Sequence, residues 1–245
     1  TFKNENRELG GYAILKNKKI SLIMDVGNSP NLNFSKDYQS GAMSFEIISN
    51  GKKLITNCGY YDKKNIKLKQ LSKSTATHSA LSIDDHSICH FKKINEHNLI
   101  LKNELKILKK NIIFEKKYWK INVSHNGYQK KYNLIHERDI EFYPEKNKFV
   151  GIDKILNKQS NLNVKFDIRF HLEPTIKFMK TQDNKTILIE LEDEGWKFTC
   201  DNFDINIDNG LYFGNKNSYT QNQNIFISGI TSNQNENINW ELTKI

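Results

Sequence analysis

Proline, cysteine and glycine are all scarce: three, three and twelve among 245 residues. With so few prolines and glycines, turns have to rest on Asn, Asp and Ser. Cys58, Cys89 and Cys200 are widely spaced, odd in number and without a CxxC pair. That excludes a cysteine zinc motif and a complete disulfide framework, and it leaves three buried thiols as the expectation. No apolar run approaches the roughly 20 residues that cross a bilayer, so no membrane span is expected. The start, Thr1-Phe2-Lys3-Asn4, carries neither an initiator Met nor a signal-like apolar stretch, and the expectation is a chain cut from something longer. Arginine occurs only at Arg7, Arg138 and Arg169, although the net charge is +9. Recognition of phosphates and base edges leans on arginine's planar fork, and no aromatic-plus-basic motif is present. The lysine excess therefore argues against nucleic acid as a partner. It remains compatible with steering of an acidic polysaccharide.

What is present is β-forming sequence. Aromatic residues make up 11% of the chain, and they suit pleated, half-buried surfaces. Alternating or β-rich runs recur at Tyr12–Leu15, Ile20–Asp25, Ala42–Ser49, Lys53–Thr56, Ala80–Ile83 and Trp119–Val123. They continue at Asn133–Phe142, Val164–His171, Thr175–Met179, Thr186–Leu191, Trp196–Cys200, Asn224–Gly229 and Ile238–Thr243. Turn signals separate them: Ser49-Asn50-Gly51, Asn126-Gly127, Asp183-Asn184, Glu194-Gly195 and Asp208-Asn209-Gly210. In Leu99–Ile113 the leucines fall near helical spacing, but the lysine density and the neighbours favour strands. The pattern predicts an all-β fold, a large antiparallel β-sandwich of two or more stacked sheets with little helix, as one domain over residues 1–245.

Seven histidines stand at 78, 86, 90, 97, 125, 136 and 171. His86, His90 and His97 lie among lysines and polar turns and read as solvated. His78 opens a strand, His125 precedes a turn with Tyr128, His136 begins His136-Glu137-Arg138, and His171 ends Arg169-Phe170-His171. Imidazole exchanges protons near neutrality, so several at strand ends would make a site if they converged on one cleft. Arg138 and Arg169, both inside strands, read either as sheet-surface ion pairs or as bidentate grips on a carboxylate. Trp119, Trp196 and Trp240 read as core.

The order of blocks resembles the C-terminal β-domain of the heparinase II/III-like polysaccharide lyases. The blocks are Gly11-Tyr12-Ala13, Asp25-Val26-Gly27, Ser40-Gly41-Ala42-Met43-Ser44-Phe45-Glu46, Asn57-Cys58-Gly59 and Thr77-His78-Ser79-Ala80-Leu81. Ser124-His125-Asn126-Gly127-Tyr128, His136-Glu137-Arg138, Gly151-Ile152-Asp153, Arg169-Phe170-His171-Leu172, Trp196-Lys197-Phe198 and Trp240-Glu241-Leu242 follow. The resemblance implies β-elimination in a uronic-acid-containing, glycosaminoglycan-like polysaccharide. It also implies a helical toroid, absent from this chain, that supplies a catalytic tyrosine, so that this chain holds at most half of an active site. A periplasmic or cell-envelope location is implied in the same way.

The resemblance further implies His78 as acid/base or carboxylate neutraliser. Gln39, Asn57, His125, Tyr128, His136, Arg138, Arg169 and His171 would contact substrate. Active relatives carry a His-x-His-x-Asp run with a zinc-binding histidine, where this sequence has Asp37, Gln39 and Gly41. The aspartate zinc ligand is matched by Asn57, and only His78 remains. Amide oxygens are poor zinc ligands, so no metal and no cofactor are expected. The competing reading is a non-catalytic carbohydrate-binding or scaffolding sandwich, which the missing motif favours.

Overall fold

The structure is a computed structural model, and it describes residues 7–95, 98–158, 162–215 and 218–245; His97 lies outside them. The chain opens with five strands, β1 (Arg7–Leu9), β2 (Tyr12–Lys16), β3 (Ile20–Asp25), β4 (Phe45–Ser49) and β5 (Lys52–Thr56). A short helix, α1 (Ile66–Ser72), precedes β6 (Leu81–Ile83) and a small ribbon of β7 (Phe91–Lys93) and β8 (Leu99–Leu101). Next come β9 (Ile107–Phe114), β10 (Trp119–His125), the single-turn α2 (Gln129–Tyr132), β11 (Leu134–Tyr143), β12 (Lys148–Asn157) and β13 (Lys165–Leu172). The chain closes with β14 (Lys177–Lys180), β15 (Thr186–Leu191), β16 (Glu194–Thr199), β17 (Ile205–Tyr212), β18 (Thr220–Ile230) and β19 (Glu236–Lys244).

Two antiparallel sheets stack face to face. The first runs β1-β2-β3-β4-β5-β13-β18-β17, with β6 also paired to β13; the second runs β14-β15-β16-β19-β12-β11-β10-β9. The all-β sandwich expected from alternation is thus the observed fold, including strands rather than helix across Leu99–Ile113. The period of two sorts each strand. In β3, Ile20, Leu22 and Met24 are buried, while Ser21, Ile23 and Asp25 point to the opposite face. By the same rule Tyr12 on β2 and Glu46 on β4 emerge on the outer face of the first sheet. Between the sheets, Trp240 stacks on Phe45 (5.6 Å between ring centroids) and lies 5.0 Å from Phe170. Trp196 is fully buried as expected, and Trp119 packs partly buried against the same core.

Two sequence expectations are corrected. Asp208-Asn209-Gly210 is not a turn but lies inside β17, paired with Asn224, Gln223 and Asn222. β17 ends its sheet, and an edge strand with one unpaired side tolerates turn-forming residues. At Gly210 a Cβ would meet the Asn222 side-chain oxygen at 2.7 Å, so a larger residue there would displace that side chain. Glu194-Gly195 begins β16 rather than forming the turn, which falls on Glu192-Asp193 with Glu192 at φ 51°.

One irregularity positions the site. β13 pairs with β6 at Phe166–Ile168 and with β5 only at His171 and Leu172. Between Thr56 and Leu81 the chain leaves the sheet, forms α1 and returns alongside β13. Its return is pinned by Arg169 N–H to Ala80 O (3.1 Å), His171 N–H to Ser79 Oγ (3.0 Å) and Ser79 Oγ–H to Thr56 O (2.7 Å). No helix among the described residues is long and apolar enough to cross a membrane.

Candidate functional site

On the outer face of the first sheet, a cleft of about 530 Å³ opens where this excursion meets β2–β5. Its floor and walls include Tyr12, Asp25, Tyr38, Gln39, Glu46, Lys53, Asn57, His78 and Tyr212. Of the nine residues proposed from sequence, three come together here: Gln39, Asn57 and His78.

His78 is only 4% exposed, and both ring nitrogens are engaged. Nδ1 lies 2.8 Å from Ser74 O, so it carries the proton and donates. Burial lowers the imidazole to about 4, so the ring is neutral near pH 7 and Nε2 offers a lone pair. The Gln39 side-chain amide lies 3.0 Å from Nε2. Its two ends exchange by a half-turn, and a neutral ring selects the NH₂ end as donor, which leaves the Gln39 oxygen for the cleft. Gly41 makes room for the ring, since a Cβ there would lie 2.6 Å from His78 Cδ2. Asn57 accepts from Ser79 N–H through Oδ1 (2.8 Å), so its NH₂ remains for the cleft.

The segment bearing Asp37, Tyr38 and Gln39 is held from beneath by Lys73, which is fully buried. Its ammonium donates to Lys36 O (2.7 Å) and Tyr38 O (2.5 Å) and lies over the rings of Tyr60 and Phe91. Burial lowers this lysine to about 8. On the opposite wall, Asp25 receives Gly27 N–H (3.0 Å), and burial raises it to about 6. Glu46 accepts from Asn57 N–H (3.1 Å) and pairs with Lys53 (3.0 Å). The wall is therefore rich in amides and carboxyls, and Lys53 is the one lysine or arginine among the residues that line it.

The other six candidates lie elsewhere, which corrects the expectation that they share a cleft. His125, His136 and Arg138 face inward from the second sheet, buried between the layers. Asp153 binds Arg138 through Nε (2.7 Å) and Nη2 (3.1 Å), and it receives His136 Nε2–H (2.6 Å) and Trp240 Nε1–H (2.9 Å). Arg138 Nη1 donates to Met43 O and Ser79 O, both at 2.8 Å. With its guanidinium so engaged and 0% exposed, Arg138 is a strut under the cleft rather than a grip on substrate. Tyr128 is buried, its hydroxyl donating to Leu81 O (2.8 Å). His171 lies behind the floor, where Nε2–H donates to Ala76 O (2.9 Å) and Nδ1 accepts from the Cys58 thiol (3.2 Å). Arg169 is 3.5 Å from Asp167 and bonded to Ser82 Oγ, which matches the ion-pair reading. All three cysteines are buried and unpaired.

Sequence reading missed Tyr12, Asp25, Tyr38, Glu46, Lys53 and Tyr212. For the first two and Glu46 a signal existed: each is a polar residue at an outward position of a strand already recognised.

A zinc ion does not fit this donor set. Gln39 and Asn57 offer amides, both tied to hydrogen bonds, and His78 spends its lone pair on Gln39. No group of three or more metal-ligating side chains occurs among the described residues.

The family model described as heparinase II/III-like, C-terminal, matches residues 6–241. No curated protein matches the chain. Among solved structures, heparan sulfate lyase HepC from Pedobacter heparinus superposes with a TM-score of 0.76 at 13% identity, over 96% of this chain and 35% of that one. The heparinase III BT4657 gene product gives 0.76 at 14% identity, over 98% of this chain and 35% of that one. A 4-alpha-glucanotransferase from Thermococcus litoralis gives 0.51 at 8% identity, over 99% of this chain and 39% of that one. The chain thus spans about a third of the length of the two lyases it superposes on.

Proposed function

Because this chain belongs to the heparinase II/III-like C-terminal family and is a polysaccharide lyase-related β-sandwich domain, we propose that its cleft forms one wall of a site for β-elimination in a uronic-acid-containing polysaccharide. The opposite wall would come from a helical domain of the same protein. β-Elimination needs the uronate carboxylate held and its charge offset, a base at the adjacent C–H and an acid at the departing oxygen. This wall supports the first requirement. The carrying observation is Asn57: its Oδ1 is fixed by Ser79 N–H, which frees its NH₂ for the cleft, while Gln39, its NH₂ turned to neutral His78, presents an oxygen there that can accept from a sugar hydroxyl. An amide donor of this kind hydrogen-bonds a carboxylate without carrying charge itself. His78, enclosed and with both nitrogens engaged, orients Gln39 in this reading and does not itself exchange protons with substrate.

The reading requires no zinc. In the full-length protein, Asn57→Ala should lower the rate of unsaturated-uronate formation from acidic polysaccharides by about tenfold or more, the scale of losing one aligned donor. Elemental analysis of the same preparation should find no stoichiometric zinc. Absence of unsaturated product on every uronide tried, with acidic glycans still bound, would favour the carbohydrate-binding alternative. Bound zinc lost on substituting His78 would remove the argument about the donor set.

A further inference from the structure

The cleft wall holds one carboxyl group that the amide pair does not account for. Asp25 ends β3 on the outward face, directly across from Tyr12 on β2. One of its oxygens receives Gly27 N–H at 3.0 Å, and no ion pair to it is found among the described residues. Lys53, on β5, is committed to Glu46 of β4 at 3.0 Å. The charged and titratable groups that line the cleft with Asp25 are Tyr12, Glu46 and Lys53 on strands of the same sheet, Asp37 and Tyr38 on the segment leading to Gln39, His78 on the excursion and Tyr212 on β17. Cys89, a buried thiol, lies behind Tyr38 and within electrostatic reach of Asp25. An ionised Asp25 on such a wall repels a uronate. A protonated one donates a hydrogen bond to it.

Resting on the reading of the cleft as a uronide site, we propose that Asp25 is a substrate-binding residue that contacts the uronate carboxylate as a neutral acid, so that its protonation gates binding. Three features of the wall agree. The group is recessed in the cleft, one oxygen is held by a backbone N–H, which favours the ionised form but leaves the other oxygen to meet a ligand, and no cation among the described residues neutralises it. Burial raises the carboxyl to about 6, whereas His78 is lowered to about 4. The Asn57 amide keeps its donor at any pH. Asp25 thus makes anion binding acid-dependent.

The test is titration calorimetry of the full-length protein with an oligoglucuronate and with its carboxyl-reduced, neutral counterpart, at about pH 5 and about pH 7. Circular dichroism at both values confirms that the fold is retained. If only the protonated form binds, affinity for the oligoglucuronate falls about tenfold over this interval. The neutral oligosaccharide shows no such fall. D25N, with an uncharged amide at the same place, binds the oligoglucuronate equally well at both values. An unchanged pH slope in D25N, or the same slope for the neutral oligosaccharide, overturns the role of Asp25 and leaves the cleft reading standing. Binding of neither oligosaccharide at either pH overturns the cleft reading, and this inference with it.

Discussion

Arg138 shows how one side chain serves a site it does not touch. Its charge is taken out of water between the sheets and balanced by Asp153 through two hydrogen bonds, while Nη1 reaches the carbonyls of Met43 and Ser79. Those two residues belong to the segments that carry Gly41, Ser44 and His78, so the strut fixes the spacing of the cleft floor. Burial by itself would raise Asp153, but the Arg138 charge and the His136 hydrogen bond hold it well below the usual carboxylate range. Removing one partner strands the other. Asp153→Asn should cost about 3–5 kcal/mol in urea unfolding, and a loss under 1 kcal/mol would show that the pair is not held as described. Sequence offered two readings of Arg138, an ion pair or a substrate grip. The choice depended on which face of β11 met the other sheet, and alternation does not decide that where every residue from Leu134 to Ile140 is buried.

At the scale of elements, strands with clean alternation were legible, and β3 and β15 were placed to the residue. Elements whose identity comes from a partner were not. β12 carries no clear strand signal in the sequence, because Gly151, Asp153 and the lysines break its apolar pattern. In the fold Gly151 gives its face to the indole of Trp240, whose Cε2 would lie 2.0 Å from any Cβ. Gly151→Ala therefore forces the ring away from Phe45 and Asp153. It should cost about 1–3 kcal/mol by overpacking, read as a lower urea midpoint and altered near-ultraviolet dichroism. An unchanged midpoint would mean that the contact is loose. The short helix α1 escaped notice for a different reason: its start rests on Asn65, whose side chain caps Lys67 and Leu68 N–H, in a run otherwise dominated by lysine. The same lysine background hid Lys73, which looks like any solvated neighbour until its burial is seen.

At the scale of the whole molecule, four enclosed histidines set the acid response. Burial lowers His78 to about 4 and His171 to about 3, and it lowers His125 and His136 as well. The unfolded chain takes up these protons near pH 6.5 and the native one does not. The stability associated with neutral burial is therefore complete above about pH 6.5 and declines as pH falls from there toward about 4, at about 1.4 kcal/mol per pH unit for each of His78 and His171, with His125 and His136 adding in the same direction. Asp25 acts in the opposite sense between about 6 and 4, because its raised carboxyl binds a proton in the folded state first. The histidines outnumber it, and the urea midpoint should fall steadily across that window. A flat or rising midpoint there would contradict the enclosed, neutral histidines.

The departure of the chain between Thr56 and Leu81 has a further consequence. Both ends of this detour are stitched to a single strand, β13, and the sheets close around it without using its middle. The rim of the cleft is in effect a cassette spliced into a finished scaffold. Asn57, Gly59 and His78 are the detour's contribution to the cleft, so the geometry of that wall is inherited from the one strand to which both ends of the detour are tied.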